Sequence, residues 1–396
     1  MQKDSCVKCL FRMGIAIFIS YLSVAIALPV ISVYVGQKLG LPNWMGGLAV
    51  GIAFISTIFS RSYAGNFADT RSTKKCAMLG LVIYMSAAGI CLASACPGLP
   101  RPAAYAILLC GRLLLGLGES MTLTGIINWH FALIGPQHSG KVLSVAGMAM
   151  YGAFAVGGPI GLTVYEDYGF ILLMGLSLIL PLAGGGLLAN ARAVLPEKKT
   201  APRKSFLRII HMIWQQGAVV GLQGVGFAVL GAFISLYFKS NGWPYAGFGL
   251  SCFGFGFVIS RILFGALPDK IGGVRLAFYS LAVELAGQTL LWLAPDVYTA
   301  LAGSLLTGLG CSMIFPAMGV EVVKRVPSEL RGTAFGGFAA FQDLAYAVSA
   351  PLTGGLADRL GYPVVFMVGA IAAALGILFT ISMRMESTRQ EPVKEY

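Results

Sequence analysis

The chain has 396 residues, of which 57% are hydrophobic and only 11% charged. That charged share is less than half of what a soluble domain carries, so no polar shell can be built and the bilayer is the remaining solvent. The formal charge of +12 would suggest nucleic acid on a soluble protein; here its distribution along the chain excludes that.

The first 12 residues carry Lys3, Lys8 and Arg12 ahead of a charge-free run over 13–37. This order resembles a signal peptide, but the run is too long and lacks a small-residue cleavage site, so an uncleaved first span is expected. Cys6 and Cys9 form a C-V-K-C pair with no second pair and no histidine nearby, and no metal site is expected. A second apolar run, 39–60, leads into SRSYAGNFAD, where Arg61, Gly65 and Asp69 stand at the edge of the apolar segment. Runs over 76–100, 142–165, 168–191, 209–238, 240–260, 297–320 and 360–383 are each long enough to span, since a spanning helix needs about 20 apolar residues. Three more, near 103–128, 275–294 and 333–355, are long enough but hold charges. Twelve spanning helices are therefore expected. A β-barrel would instead alternate within segments of about ten residues.

With the N-terminus inside, the outer loops hold only Lys38, Arg101, Lys239 and Arg359, and Arg112 lies within a span. All other basic residues fall at the inner face, the positive-inside bias of a multi-pass membrane protein. Both termini are thus expected in the cytoplasm, with some contact between basic loops and anionic lipid.

The chain repeats itself. SRILFGALPD (260–269) matches the 60s at an offset of 200, placing Arg261, Gly265 and Asp269 opposite Arg61, Gly65 and Asp69. GLGES at 116–120 matches GLGCS at 308–312, Pro159 matches Pro351, and Gly169 matches Gly361, all at an offset of 192. One shortened loop accounts for the change. Residues 191–208, with six basic residues and two prolines, read as a cytoplasmic linker between residues 1–190 and 209–396. The expected fold is an all-α membrane protein of two six-helix bundles related by a pseudo-two-fold axis.

The duplicated G-x-x-x-D resembles the signature of the major facilitator superfamily over nearly the whole chain. Gly265, Asp269, Lys270 and Gly272 follow it well; in the first copy Thr70 and Ser72 replace the usual basic residue and glycine. GRLLLGLGES, SGKVLSVAGMAMYGA, FPAMGVEVVKRVP and FQDLAYAVSAPLTGG are similar to the YhhS/YfcJ-type bacterial permeases, grouped with efflux proteins. The resemblance implies a transporter of the bacterial inner membrane. Arg61, Gly65, Asp69, Arg261, Gly265, Asp269 and Lys270 would then latch its halves at the cytoplasmic side. Glycine in a short turn would allow close backbone approach, and Arg61 would reach the headgroups or pair with Asp69.

Ionisable residues inside spans need a reason, because each costs at least about 2.5 kcal/mol at the bilayer centre. Arg112 and Glu119 are seven residues apart, nearly two turns, so both are expected on one face with Gly116 between them. Their repeat counterparts are Ser304 and Cys311. The pattern R-x-x-x-G-x-G at Arg112 is linked by resemblance to proton coupling. Asp343, opposite Tyr151 in the repeat, is a carboxyl at mid-depth, which suits reversible protonation. Glu284 lies on a span that is peripheral in the resembled fold and is expected to be structural. Gly158 and Pro159, with Pro351, Gly354 and Gly355 in the second copy, allow close helix packing and bending; by resemblance the first is an antiporter element. Tyr21, Tyr151, Gln223, Phe315 and Tyr346 are candidate cavity residues.

There is no G-x-x-x-x-G-K-[ST], no Ser-His-Asp arrangement and no H-E-x-x-H, so neither ATP-driven transport nor an enzyme is expected, and no cofactor. The expected function is a proton-coupled exporter of a small organic molecule, acting as a monomer. An uptake symporter is the alternative, and a scaffold that has lost transport has no reason to keep Arg112 and Asp343 at mid-depth.

Overall fold

The structure, a computed structural model, describes residues 2–135, 139–189, 206–327 and 330–390. Residues 191–205 of the expected linker lie outside these, as do the side chains of Cys6 and Asp269.

In a bilayer each backbone N–H and C=O must be satisfied within its own segment, and a long apolar chain meets this as helix. The elements in chain order are α1 (Gln2–Val33), extended by a π-helical turn at Tyr34–Lys38, α2 (Asn43–Thr70), α3 (Thr73–Ala93), α4 (Arg101–Ile134) and α5 (Ser139–Ala189). They continue with α6 (Phe206–Ser240), α7 (Phe248–Phe264), α8 (Leu267–Ile271), α9 (Gly273–Trp292), α10 (Val297–Arg325), α11 (Arg331–Leu360) and α12 (Pro363–Gln390). The described residues contain no strand. Among the described residues eight helices are long and apolar enough to cross a membrane, and α7 is a shorter apolar one.

α5 covers two of the expected segments. Its helical run is interrupted at Gly169, where φ is 84° and ψ 176°. Gly361, its counterpart in the repeat, takes φ 82° and ψ 172° at the end of α11. Both turns use a left-handed backbone that favours glycine, which explains why the repeat keeps that residue at both.

The two copies of the Arg–Gly–Asp stretch fold differently. α2 runs unbroken to Thr70, so Gly65 and Asp69 lie inside a helix and not in the turn expected there. A Cβ on Gly65 would meet nothing within 4 Å, so close backbone approach is not its role. In the second copy Pro268 stands where the first has Ala68. The helix stops at Phe264 and resumes as α8, with the proline in its first turn, the position where proline's missing N–H costs least.

α1 packs mainly on α5, α3 on α4, and α2 on α4; later in the chain α9 packs on α10, α12 on α9 and α6, and α7 on α10. The seam between early and late helices is formed by α2 with α11, α5 with α7, and α1 with α6. Glycines set these approaches. A Cβ on Gly118 would lie 2.9 Å from the Tyr84 nitrogen, and one on Gly310 would lie 2.5 Å from the Glu284 nitrogen; these are repeat-related pairs. Likewise a Cβ on Gly158 would lie 2.5 Å from the Gly247 carbonyl, and one on Gly354 would lie 2.6 Å from the Asn43 carbonyl. The glycines beside Pro159 and Pro351 thus let α5 touch α7 and α11 touch α2, the close contact that small residues permit.

Candidate functional site

The centre of the seam is aromatic. Tyr21 of α1 meets Phe154 of α5 edge-on at 5.5 Å, Phe154 meets Phe227 of α6 at 5.5 Å, and Phe227 meets Phe253 of α7 at 5.2 Å and Tyr346 of α11 at 5.1 Å. Tyr151 stacks on Phe257 with ring centroids 3.5 Å apart. Three expected cavity residues, Tyr21, Tyr151 and Tyr346, are brought together here. Gln223 lies close by, buried, and accepts a hydrogen bond from Gln342 Nε2 at 3.0 Å. Phe315 does not join them. It packs on Phe338 at 4.8 Å, within the apolar core of the later helices. The phenylalanines of the cluster were not singled out from the sequence, where they are indistinguishable from lipid-facing ones.

Two carboxylates border the aromatic cluster, each tied to a different helix. The Tyr21 hydroxyl donates to Glu119 Oε1 at 2.7 Å, joining α1 to α4. Arg61 Nε donates to Asp343 Oδ2 at 2.7 Å, joining α2 to α11 across the seam. Arg61 was expected at the headgroups or on Asp69. It turns inward because α2 continues as a helix past it, which carries its side chain to the α11 face. The Asp343 side chain is 6% exposed and that of Arg61 35%, so the carboxylate is the buried member of the pair.

Arg112 and Glu119 do not face one another. The Arg112 guanidinium donates to the carbonyls of Ala49 at 2.8 Å and Val50 at 3.3 Å, both on α2. One turn on, Gly116 lies against α2 at Ala53 and Thr57. This side of α4 is therefore the α2 contact, while Glu119 points to α1. The departure from 3.6-residue arithmetic is small; what separates the two is that long side chains on one broad face reach different neighbours.

Glu284, expected to be structural, is fully buried on α9 against Gly226 of α6. Arg261, the repeat partner of Arg61, also turns inward: Nη2 donates to the Ser312 carbonyl at 2.9 Å, and the guanidinium sits 5.3 Å from the Phe257 ring centre. Asp69, Gly265 and Lys270 are exposed at that end of the molecule. Gly355 lies 3.9 Å, as a notional Cβ, from Trp44.

At the opposite end of the seam, Asp358 of α11 accepts the first N–H groups of α2, from Asn43 at 2.8 Å and Trp44 at 3.2 Å. Tyr362 donates to Asn43 Oδ1 at 2.9 Å, and Lys239 of α6 pairs with Glu166 of α5. α2 starts after Pro42 with no cap of its own, so a carboxylate from the far side of the seam satisfies its orphan donors.

Long apolar helices, with carboxylates and arginines gathered where the earlier ones meet the later ones, are the build of a multi-pass membrane protein. The model of the Major Facilitator Superfamily matches residues 13–244 and 216–395, and the chain belongs to that family. An uncharacterised MFS-type transporter of Salmonella typhimurium is 42% identical over 368 residues, covering 93% of this chain and 94% of that one. Another, of Burkholderia pseudomallei, is 36% identical over 373 residues, covering 94% and 91%. Among solved structures a mutant of the nucleoside transporter NupG superposes with a TM-score of 0.78 at 12% identity, covering 95% of this chain and 99% of its own. The human organic anion transporter MFSD10 (TETRAN) gives 0.70 at 13% over the same shares. The last two are likenesses of fold.

Proposed function

We propose that this transporter moves a small organic molecule by alternating access, with twelve spanning helices in two six-helix bundles that rock about the α2–α11 and α5–α7 seams, and that protons drive it outward from the cytoplasm. The Arg61–Asp343 pair carries this reading. An ionised Asp343 holds α2 to α11 through Arg61; a proton on its carboxyl removes the charge, makes one oxygen a donor and leaves only a weaker neutral acceptor for the guanidinium. The tie across the seam then fails, and the bundles part on that side. Binding a proton and opening a gate are thus one event at one atom pair, which is what coupling requires. Glu119 is the second proton site, its anion held by the Tyr21 hydroxyl. Arg112 fixes α4 against α2 beside it. The aromatic cluster with Gln223 and Gln342 receives the cargo.

The test is transport into and out of proteoliposomes under an imposed pH gradient, screened against a panel of small molecules. Asp343→Asn should abolish ΔpH-driven accumulation while leaving downhill exchange. Its cost to folding should stay within about 1–2 kcal/mol, because asparagine keeps an acceptor oxygen for Arg61 and the guanidinium is partly exposed. Undiminished accumulation by Asp343→Asn, alone and with Glu119→Gln, would move the coupling elsewhere. Accumulation toward the acidic side identifies exchange; accumulation toward the opposite side identifies the uptake symporter.

A further inference from the structure

The repeat allows each arginine of the seam to be compared with its counterpart. Arg61 and Arg261 are 200 positions apart in matching stretches. Each leaves the inner half of its helix, α2 or α7, and each lies against a partner helix from the other set, α11 or α5. The position on α11 that meets Arg61 is Asp343. The matching position on α5, 192 residues earlier, is Tyr151. Arg61 therefore has a carboxylate at 2.7 Å, while Arg261 faces a phenol and the Phe257 ring stacked on it.

The hydrogen bonds of Arg261 are correspondingly incomplete. Nη2 reaches the Ser312 carbonyl, but Nε is buried with no acceptor. Among the described residues no carboxylate lies within ion-pair distance of it. A guanidinium cannot shed its charge, and a buried cation with neither counter-ion nor full hydrogen bonding is costly. Arg112, by comparison, has its donors on two carbonyls. Among the described residues, Arg261 is the one of these three arginines that has neither a carboxylate nor a second carbonyl as acceptor.

We propose that the cargo is a small organic anion with an apolar or aromatic body, and that its carboxylate or similar anionic group takes, at Arg261, the place Asp343 takes at Arg61. This rests on the transport reading above and adds the substrate class. The planar fork of arginine suits a carboxylate held through two N–H groups. The rings of Tyr151, Phe257 and Phe253, with Tyr346 beyond, receive the apolar body. Bound anion would tie α7 to α5 as Asp343 ties α11 to α2, so loading the cargo and closing that seam coincide.

The test uses purified full-length protein in detergent, with benzoate and phenylphosphonate as probes and benzamide as the uncharged control. Thermal stabilisation by the two anions and not by benzamide is expected. Arg261→Gln should weaken the anion response by roughly tenfold or more, the loss of one charge-assisted contact, and Arg261→Lys should restore it in part. Tyr151→Asp supplies the missing counter-ion from within the chain; it should raise stability without ligand and remove the anion response. No response by the wild type, a response equal for benzamide, or one that survives both Arg261→Gln and Tyr151→Asp overturns the proposal. The assay needs no proton gradient. Anion binding through Arg261 without ΔpH-driven transport would reject proton coupling and keep this site. ΔpH-driven transport confined to neutral or cationic solutes would do the reverse.

Discussion

At the scale of single residues, the arginines divide by what meets them. Arg61 meets a carboxylate, Arg112 two backbone carbonyls, and Arg261 one carbonyl and a ring. Composition treats all three alike, and what each of them meets was not legible from the chain. For Arg112 the sequence pointed to proton or substrate handling, on the ground that Ser304 does without it. Its two bonds to α2 make it a tie between helices as well. Arg112→Ala should therefore lower the thermal stability of the purified protein, by about 1–3 kcal/mol for a buried charge-assisted contact. Arg112→Lys should recover only part, since one ammonium does not span two carbonyls as a fork does. An alanine variant as stable as the wild type but dead in transport would place Arg112 on the cargo or the proton instead.

At the scale of elements, caps and small residues decide where helices end and how near they come. Asp296 begins α10 by accepting the backbone N–H groups of Thr299 and Tyr298, both at 2.9 Å. The Thr299 N–H above all holds its carboxyl below the usual carboxylate range. Because the folded value is the lower one, the stability this adds is present above the range in which an unfolded Asp titrates, and is lost as pH falls through the folded value. Asp296→Asn keeps a cap but should flatten the acid limb of the melting profile between about pH 5 and pH 3; an unchanged limb would exclude Asp296 as its source. At the seam, Gly354 leaves no room for a side chain against Asn43 and Trp44, whose atoms lie 2.6 and 2.8 Å from a notional Cβ. Gly354→Val should cost about 1–3 kcal/mol as overpacking and should expose a cysteine placed near Asn43 to a water-soluble thiol reagent. Labelling no faster than in the parent would mean that α2 and α11 do not part there.

At the scale of the whole molecule, the seam is held at both levels, by Asp358 on the start of α2 at one end and by Arg61–Asp343 nearer its middle. The alternating access proposed above needs these ties to break in turn. Asn43→Cys with Asp358→Cys places two thiols where the carboxylate now meets the helix start. Oxidising that pair in proteoliposomes should stop exchange, and reduction should restore it. Full exchange by the cross-linked protein would show that this end need not open.

Much of the helical architecture was legible in the chain. An apolar run of the length of a bilayer has one economical structure, and the offsets of 200 and 192 aligned positions that the structure pairs in the same way, Gly118 with Tyr84 and Gly310 with Glu284. Gly169 and Gly361 were legible for the same reason, a backbone conformation that one residue type favours. What the sequence by itself determined is what depends on local composition and period: membrane, helices, and the repeat of residues along the chain. Only the tertiary structure decided the partners. Asp343 meets Arg61, 282 positions away, Glu119 meets Tyr21 and not Arg112, and Phe315 falls outside the aromatic cluster. A side chain four or five bonds long on a helix reaches several neighbours. Which of them it meets is set by the approach of helices distant in sequence, and no spacing along one helix contains that.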